Sequence, residues 1–305
     1  MTLVVAWTRK TRTGRELWVM SDSRLGGGKV WDYGPKIFGI GRSDAVIAFA
    51  GDTSWTYPLI AQITSYVESF VNLRDRTIDL AETYELILRM LNESLSFISN
   101  PAHPSLTEPE CSFLFAGHSV RRNGFFVRRI VYHPTRRRFE GRNPRDIGED
   151  VIAVIGDKAP ASALARRLSG ILKNEQSGRP TLGMAPAEAF HEVISSNRFP
   201  EVGGAPQVAK VYQHQSQKHF GVYWPSDVPT DEQHIYLRGR RMSKFDVLDH
   251  PWVFAPSEAK LYWHDFSPDQ MRALDEAENA GLTVGSTRTR SLSEFCGYSN
   301  LTKLP

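Results

Sequence analysis

The first fifty residues alternate short apolar runs with polar breaks at the spacing of strands and turns. Leu3-Val4-Val5-Ala6-Trp7 and Leu17-Trp18-Val19-Met20 are joined by a polar stretch from Thr8 to Gly14. That pattern predicts a hairpin of strands over 2–8 and 15–21. Gly26-Gly27-Gly28 breaks the chain before a third strand expected near 35–41, and the turn Gly41-Arg42-Ser43-Asp44 leads to a fourth over 45–50. The period then lengthens. Trp55, Leu59, Ile63, Tyr66 and Phe70 recur at three- and four-residue steps, and so do Leu80, Tyr84, Ile87, Leu91, Leu95 and Ile98. Each set forms one apolar stripe, which predicts two amphipathic helices. Pro101, Pro104 and Pro109 mark the loop that follows.

Strand patterns return at 111–118, 124–133, near 138–140 and at 151–155. Gly156-Asp157 opens a helix near 159–173, with Asp157 a candidate N-cap, and a second helix is expected near 185–196. Strands over 206–213 and 218–224 complete the order. Each helix pair must cover a sheet face. Two antiparallel sheets stacked face to face, with a helix layer outside each, satisfy every apolar face, so the fold class is α+β and the first domain spans 1–224. Residues 225–305 differ. They carry Pro225, Pro229, Pro251, Pro256 and Pro268 with the aromatic clusters Trp252-Val253-Phe254 and Tyr262-Trp263. These aromatics need burial, so the segment reads as a C-terminal appendage packed on the core, with one short helix from Asp269 to Glu278.

Composition narrows the function. Hydrophobic residues are 41% of the 305 and charged residues 23%, an ordinary globular balance. A net charge of +3 does not by itself require a polyanionic partner. Arg121, Arg122, Arg128, Arg129, Arg136, Arg137, Arg138, Arg142 and Arg145 make a basic hairpin region. A nucleic-acid surface is the sharper reading of it; a solvated or subunit-facing hairpin is the one adopted. Cys111 and Cys296 make no disulfide framework, and no Cys/His spacing reads as zinc. His214 and His219 lie five apart, on opposite faces of a regular strand, which argues against a shared metal. No leader-like segment and no apolar run of about 18 residues is found, so a cytoplasmic protein is expected, with nothing but Met1 to be cleaved from the front.

The candidate chemistry lies at the front of the chain. Removal of Met1 would leave Thr2 with a hydroxyl and a free α-amine on one residue. A threonine hydroxyl needs a base near neutral pH. The α-amine has a reference pKa of roughly 7.7–8.0, against about 10.4 for lysine. A nearby ammonium would depress it further, and a carboxylate would hold that ammonium in place. Lys36 and Asp22 are the candidates for these roles, and the Gly51 N–H is the candidate donor to a developing oxyanion.

In these residues the chain resembles the proteasome β-subunit family, including the peptidase subunit of the bacterial two-component heat-shock protease. The resemblance covers roughly 2–225 in element order and is most specific over 2–55. Thr2 matches the N-terminal nucleophile. Asp22, in Ser21-Asp22-Ser23-Arg24, matches the acidic residue of an A-D-S-R element, and Lys36 the lysine of the third strand. Gly51, in Ala50-Gly51-Asp52, matches the oxyanion glycine. Phe49 falls where the family shapes the pocket for the side chain before the scissile bond, and Gly26 where it pins the substrate backbone.

The resemblance implies a four-layer αββα sandwich, the N-terminal nucleophile hydrolase fold, and peptide-bond hydrolysis without metal or organic cofactor. It also implies a homo-oligomeric ring acting on peptide or unfolded protein, with an ATP-dependent unfoldase as partner. The chain departs from the family in three places. The hairpin between Thr2 and Asp22 is a few residues longer. Asp157 stands where a serine helps hold the terminal amine, and could hold it as a carboxylate. Phe199 and Val202 fall where an Asp and a Ser precede a Gly-Gly. These departures keep two other readings open: a non-peptide amidohydrolase of the same fold, and a catalytically inactive structural subunit.

Overall fold

The structure, a computed structural model, describes residues 2–26, 29–99, 108–174, 181–226, 228, 233–243 and 246–264. The chain opens with the antiparallel hairpin of β1 (Leu3–Thr11) and β2 (Gly14–Ser21), in register from Val4 opposite Ser21 to Thr11 opposite Gly14. β3 (Ile37–Gly39) and β4 (Ala45–Gly51) follow. Three helices come next: α1 (Thr53–Ser69), the single turn α2 (Val71–Arg74) and α3 (Leu80–Ser94). Asp52 and Asp79 cap α1 and α3, their carboxylates accepting from Ser54 N and Ala81 N. The second apolar stripe therefore outlasts its helix: Leu95 belongs to a 3-10 turn and Ile98 lies beyond it.

The second half runs through β5 (Cys111–Ser119), β6 (Gly124–His133), β7 (Arg138–Arg142), β8 (Arg145–Ile147) and β9 (Asp150–Gly156). Then come α4 (Lys158–Asn174), α5 (Ala185–Ser195), β10 (Gln207–Tyr212) and β11 (Gln217–Trp224). Four short strands end the described chain: β12 (His234–Leu237), β13 (Arg240–Arg241), β14 (Trp252–Ala255) and β15 (Lys260–Trp263).

These strands make two sheets. The first has the order β13-β12-β11-β10-β2-β1-β9-β8, with β14 paired to β11 and β15; the second has the order β3-β4-β5-β6-β7. Three apolar clusters bind the layers. Leu3, Val5, Trp7, Trp18 and Met20 pack with Leu164, Leu168, Phe190 and Ile194 of α4 and α5. Ile47, Phe49, Phe113 and Phe115 pack with Ile60, Ile63, Ile87 and Leu91 of α1 and α3. Between the sheets Val4, Ala6, Leu17 and Val19 meet Val46, Ala48, Leu114 and Ala116. β1 and β4 are thus buried on both faces, which is why their sequences read as unbroken apolar runs instead of alternating. Complete burial of one such side chain contributes about 1.5–3 kcal/mol.

The structure departs from expectation in three places. The third strand spans three residues, so Lys36 lies just ahead of it. One pair, β11 with β14, is parallel, because the chain returns to β11 by a long connection after the β12–β13 hairpin. Residues 225–264 also do more than rest on the core. Their strands join the first sheet, and Trp252 and Phe254 enter the cluster of Trp18 and Phe220. The helix expected over Asp269 to Glu278, and Cys296, lie outside the described residues. Among the described residues no helix is long and apolar enough to cross a membrane.

Candidate active site

Four strands end at one edge of the sheets, and each delivers one polar residue there. Thr2 precedes β1, Asp22 follows β2, Lys36 precedes β3 and Asp157 follows β9. The ladder of the first sheet brings Thr2, Asp22 and Asp157 together, and the second sheet, stacked on it, carries Lys36. Val4 pairs with Ser21, Leu3 pairs with Gly156, and the pairing continues outward as Asp22 N donates to Leu3 O at 3.3 Å and Asp157 N to Thr2 O at 3.1 Å. Gly156 permits this approach. It has φ +128°, and a Cβ there would overlap the Thr2 carbonyl oxygen.

At the centre, Lys36 Nζ donates to Thr2 Oγ1 at 2.8 Å and to Asp22 Oδ1 at 2.8 Å. Asp22 Oδ1 also accepts from Leu3 N at 3.1 Å, and its Oδ2 accepts from Arg24 N and Gly203 N, each at 3.2 Å. Asp22 and Lys36 are fully buried and Thr2 is 2% exposed. Burial pushes the Lys36 ammonium below its ordinary value, while the facing Asp22 carboxylate opposes that shift. Burial likewise pushes the Asp22 carboxyl up, against the Lys36 charge and the backbone donors. The low-polarity surroundings therefore work against charge on both partners and bring the neutral lysine amine nearer to neutral pH.

Thr2 N donates to Asp157 Oδ2 at 2.7 Å. In the full chain this nitrogen is a peptide N–H; release of Met1 would make it an α-amine. The backbone of Asp157 opens α4, with Ala161 N donating to its carbonyl at 3.1 Å. One residue thus meets both readings weighed for it, helix opening through its backbone and the Thr2 nitrogen through its carboxylate. Sequence reasoning gave the amine the proton-accepting role and Lys36 a tuning role. The contacts place Lys36 on the hydroxyl and a carboxylate on the nitrogen.

Sequence reasoning missed Gln207, which is fully buried. Its Oε1 accepts from Lys36 N at 2.9 Å, while its Nε2 donates to Gly34 O at 2.7 Å and Ser23 Oγ at 3.2 Å. It thereby joins the chain on both sides of the Asp22–Lys36 pair. The only signal was an amide at the start of an apolar strand, which an ordinary strand end shows as well. Ser23 and Arg24 also prove structural. Ser23 Oγ donates to Ala205 O, and Arg24 Nε is paired with Asp32 Oδ1 at 2.7 Å.

The remaining candidates separate. Gly51 ends β4 two residues beyond Phe49, whose N donates to Lys36 O at 3.3 Å. Its φ is +109°, and a Cβ would overlap Glu110 O. Phe49 is fully buried in the α1–α3 cluster, with Phe38 at 6.2 Å and Tyr57 at 5.3 Å between ring centroids, so it presents no surface to a ligand. Gly26 is exposed with open space around it. Val202 is buried and Phe199 packs beside it, both against the α4–α5 cluster. It is the backbone of Gly203 next to them that reaches Asp22.

Several basic-hairpin arginines are engaged within the chain. Arg136, Arg138 and Arg142 surround Glu140 at 2.8, 3.2 and 3.1 Å, and Arg122 and Arg128 lie over Phe126. His214 stacks on Tyr212, while His219 lies within β11, where burial pushes its pKa down to about 4. Among the described residues no group of three His, Cys, Asp or Glu side chains is placed to hold a metal ion. In comparisons with known proteins, no family model matches the chain and no curated protein matches it.

Proposed function

We propose that this chain is an N-terminal threonine hydrolase that cleaves amide bonds, with peptides as substrates, after removal of Met1. The observation that carries the proposal is the bridge from Lys36 Nζ to Thr2 Oγ1 and to Asp22 Oδ1, both at 2.8 Å in a buried site. The packing of helices on the outer faces of two apposed sheets supports the corresponding fold assignment, the four-layer αββα sandwich of N-terminal nucleophile hydrolases.

The contacts support the following mechanism. In its neutral form Lys36 takes the Thr2 Oγ1 proton as that oxygen attacks the substrate carbonyl, and Asp22, its partner in the resting ion pair, stabilises the lysine charge so formed. The Gly51 N–H is the proposed donor to the oxyanion. As the C–N bond breaks, the Thr2 ammonium, held by Asp157, gives its proton to the leaving nitrogen, and an ester to Thr2 remains. The neutral amine then accepts a proton from the incoming water, and Lys36 returns its proton to Oγ1 as the acid is released. Ring assembly and the unfoldase partner belong to the same proposal through the family resemblance.

The test is labelling with a peptide epoxyketone, followed by intact-mass measurement and mapping. The proposal expects loss of Met1, one adduct on Thr2 and none in Thr2→Ala. A retained Met1 with no adduct would leave a silent subunit. An adduct together with hydrolysis of small amides but not of peptides would move the substrate class.

A further inference from the structure

The stretch from Ser23 to Pro35 connects the two members of the buried ion pair. The C-terminal hairpin β12–β13 touches that stretch, and the chain just past it, at three points. Tyr236 meets Tyr33 edge-on at 6.5 Å. Gly239, at φ +84°, backs onto Ser23, so that a Cβ there would stand 2.7 Å from Ser23 Oγ and 3.5 Å from Gln207 Nε2. Arg238 Nη2 donates to Ile37 O at 3.2 Å, and its guanidinium lies over the Phe38 ring at 5.4 Å.

The hairpin is held firmly enough to transmit position. β12 pairs with β11 from Val222–Tyr236 to Trp224–His234, and with β13 through Leu237–Arg240. Arg238 and Gly239 both have positive φ, at +52° and +84°, as a two-residue hairpin turn of this hand requires. Arginine is uncommon in that conformation. Here it aims the guanidinium at the Ile37 carbonyl.

Lys36 is therefore pinned from two sides. Gln207 accepts from its N–H, and Arg238 donates to the carbonyl of the next residue. The Lys36 side chain is fully buried, so where its Nζ sits relative to Thr2 Oγ1 depends on where this backbone sits.

We propose that Arg238 and Gly239 are positioning residues, through which the C-terminal segment sets the place of Lys36 against Thr2. The proposal rests on the threonine-hydrolase reading for its catalytic meaning, and on geometry alone for its structural meaning.

The experiment uses the full chain. Arg238→Met keeps an apolar stem over Phe38 and removes the donor; Arg238→Lys restores one; Gly239→Ala crowds Ser23. Two quantities are read: the maximal rate of epoxyketone labelling at Thr2, and the pH midpoint of Lys36 from lysine 13C NMR. In Arg238→Met the expected result is a loss of about tenfold in maximal labelling rate at unchanged half-saturating probe concentration. The Lys36 midpoint shifts as well, and Arg238→Lys recovers most of both. The proposal is overturned if Arg238→Met and Gly239→Ala melt like wild type and leave labelling and midpoint unchanged. Should wild type resist labelling while Arg238→Met moves the midpoint, the hydrolase reading fails and the positioning role stands. Labelled wild type with an unmoved midpoint gives the reverse.

Discussion

Replacing Lys36 by Met should cost stability as well as chemistry, and the two losses can be separated. Asp22 is fully buried and accepts from four donors, of which Lys36 is the one cation. Removing one member of a buried pair leaves an uncompensated charge, at about 3–5 kcal/mol. At roughly 2 °C per kcal/mol for a chain of this size, the melting temperature falls by about 6–10 °C. Asp22→Asn should cost a similar amount, because the lysine loses its carboxylate and the amide presents an N–H₂ group to backbone donors. In the double variant no buried charge is left unpaired, so its cost falls short of the sum of the singles by about 1–3 kcal/mol. Urea or thermal unfolding of the four proteins measures this coupling, and probe labelling of the same samples measures chemistry. All three variants should lose at least about a thousandfold in labelling rate, since the proton acceptor is gone or misplaced. Additive destabilisation within about 0.5 kcal/mol would refute the coupled pair. Undiminished labelling of Lys36→Met would refute its role on the hydroxyl.

Three further outcomes follow from single contacts. Gly156→Ala forces a Cβ into the Thr2 carbonyl at φ +128°; a loss of about 2–4 kcal/mol by urea unfolding is expected, with slower Thr2 labelling, and native stability would contradict the close approach. Asp157→Asn removes the carboxylate that holds the released Thr2 ammonium, so the alkaline limb of the pH–rate profile on a chromogenic peptide should move about one unit lower; an unmoved limb removes the ammonium from the mechanism. His219 has a folded pKa of about 4 against an ordinary 6.5, so between these values the unfolded chain binds a proton that the folded chain does not. Stability therefore rises with pH across that window, by about 3 kcal/mol in all, and His219→Asn should flatten the rise in urea titrations near pH 4 and pH 7.

How far the site could be read from sequence depended on whether a residue's role follows from its place at a strand end. Thr2, Asp22 and Lys36 were legible because each adjoins an apolar run whose strand character is plain; pairing of β1 with β2 brings the first two together, and stacking of the second sheet on the first brings Lys36 to them. Asp157 was legible for the same reason, through Gly156 at the end of β9. Gln207 was not. Its task is to hold a stretch of chain 171 to 184 residues away in sequence, from Ser23 to Lys36, and nothing about an amide before Val208 specifies that. The burial of Phe49 was not legible, because strand alternation gives a residue its face but not what covers that face; α1 covers it through Tyr57. The joining of β12 to β15 onto the first sheet was equally hidden. Four strands of two to four residues carry too little period-two signal, and only the aromatics of β14 and β15 announced burial.

Perturbed ionisation alone would not have located the site. The chain holds a second fully buried lysine, Lys210, whose Nζ lies 2.6 Å from Glu16 Oε1 and whose pKa burial pushes down to about 8. Both pairs set a lysine against a carboxylate in low-polarity surroundings, and both would pass a search for shifted groups. Their neighbours differ. Lys210 lies over the rings of Trp18 and Tyr212, and Glu16 also accepts from Arg9 and the Trp18 indole. Lys36 instead touches a hydroxyl that stands next to the chain's first peptide nitrogen, and that nitrogen has its own carboxylate. Under the proposed mechanism, a proton entering Lys36 comes from that hydroxyl. What marks the Asp22–Lys36 pair is the third atom at its nitrogen, the Thr2 hydroxyl at 2.8 Å, which the start of β1 supplies at the first sheet's edge.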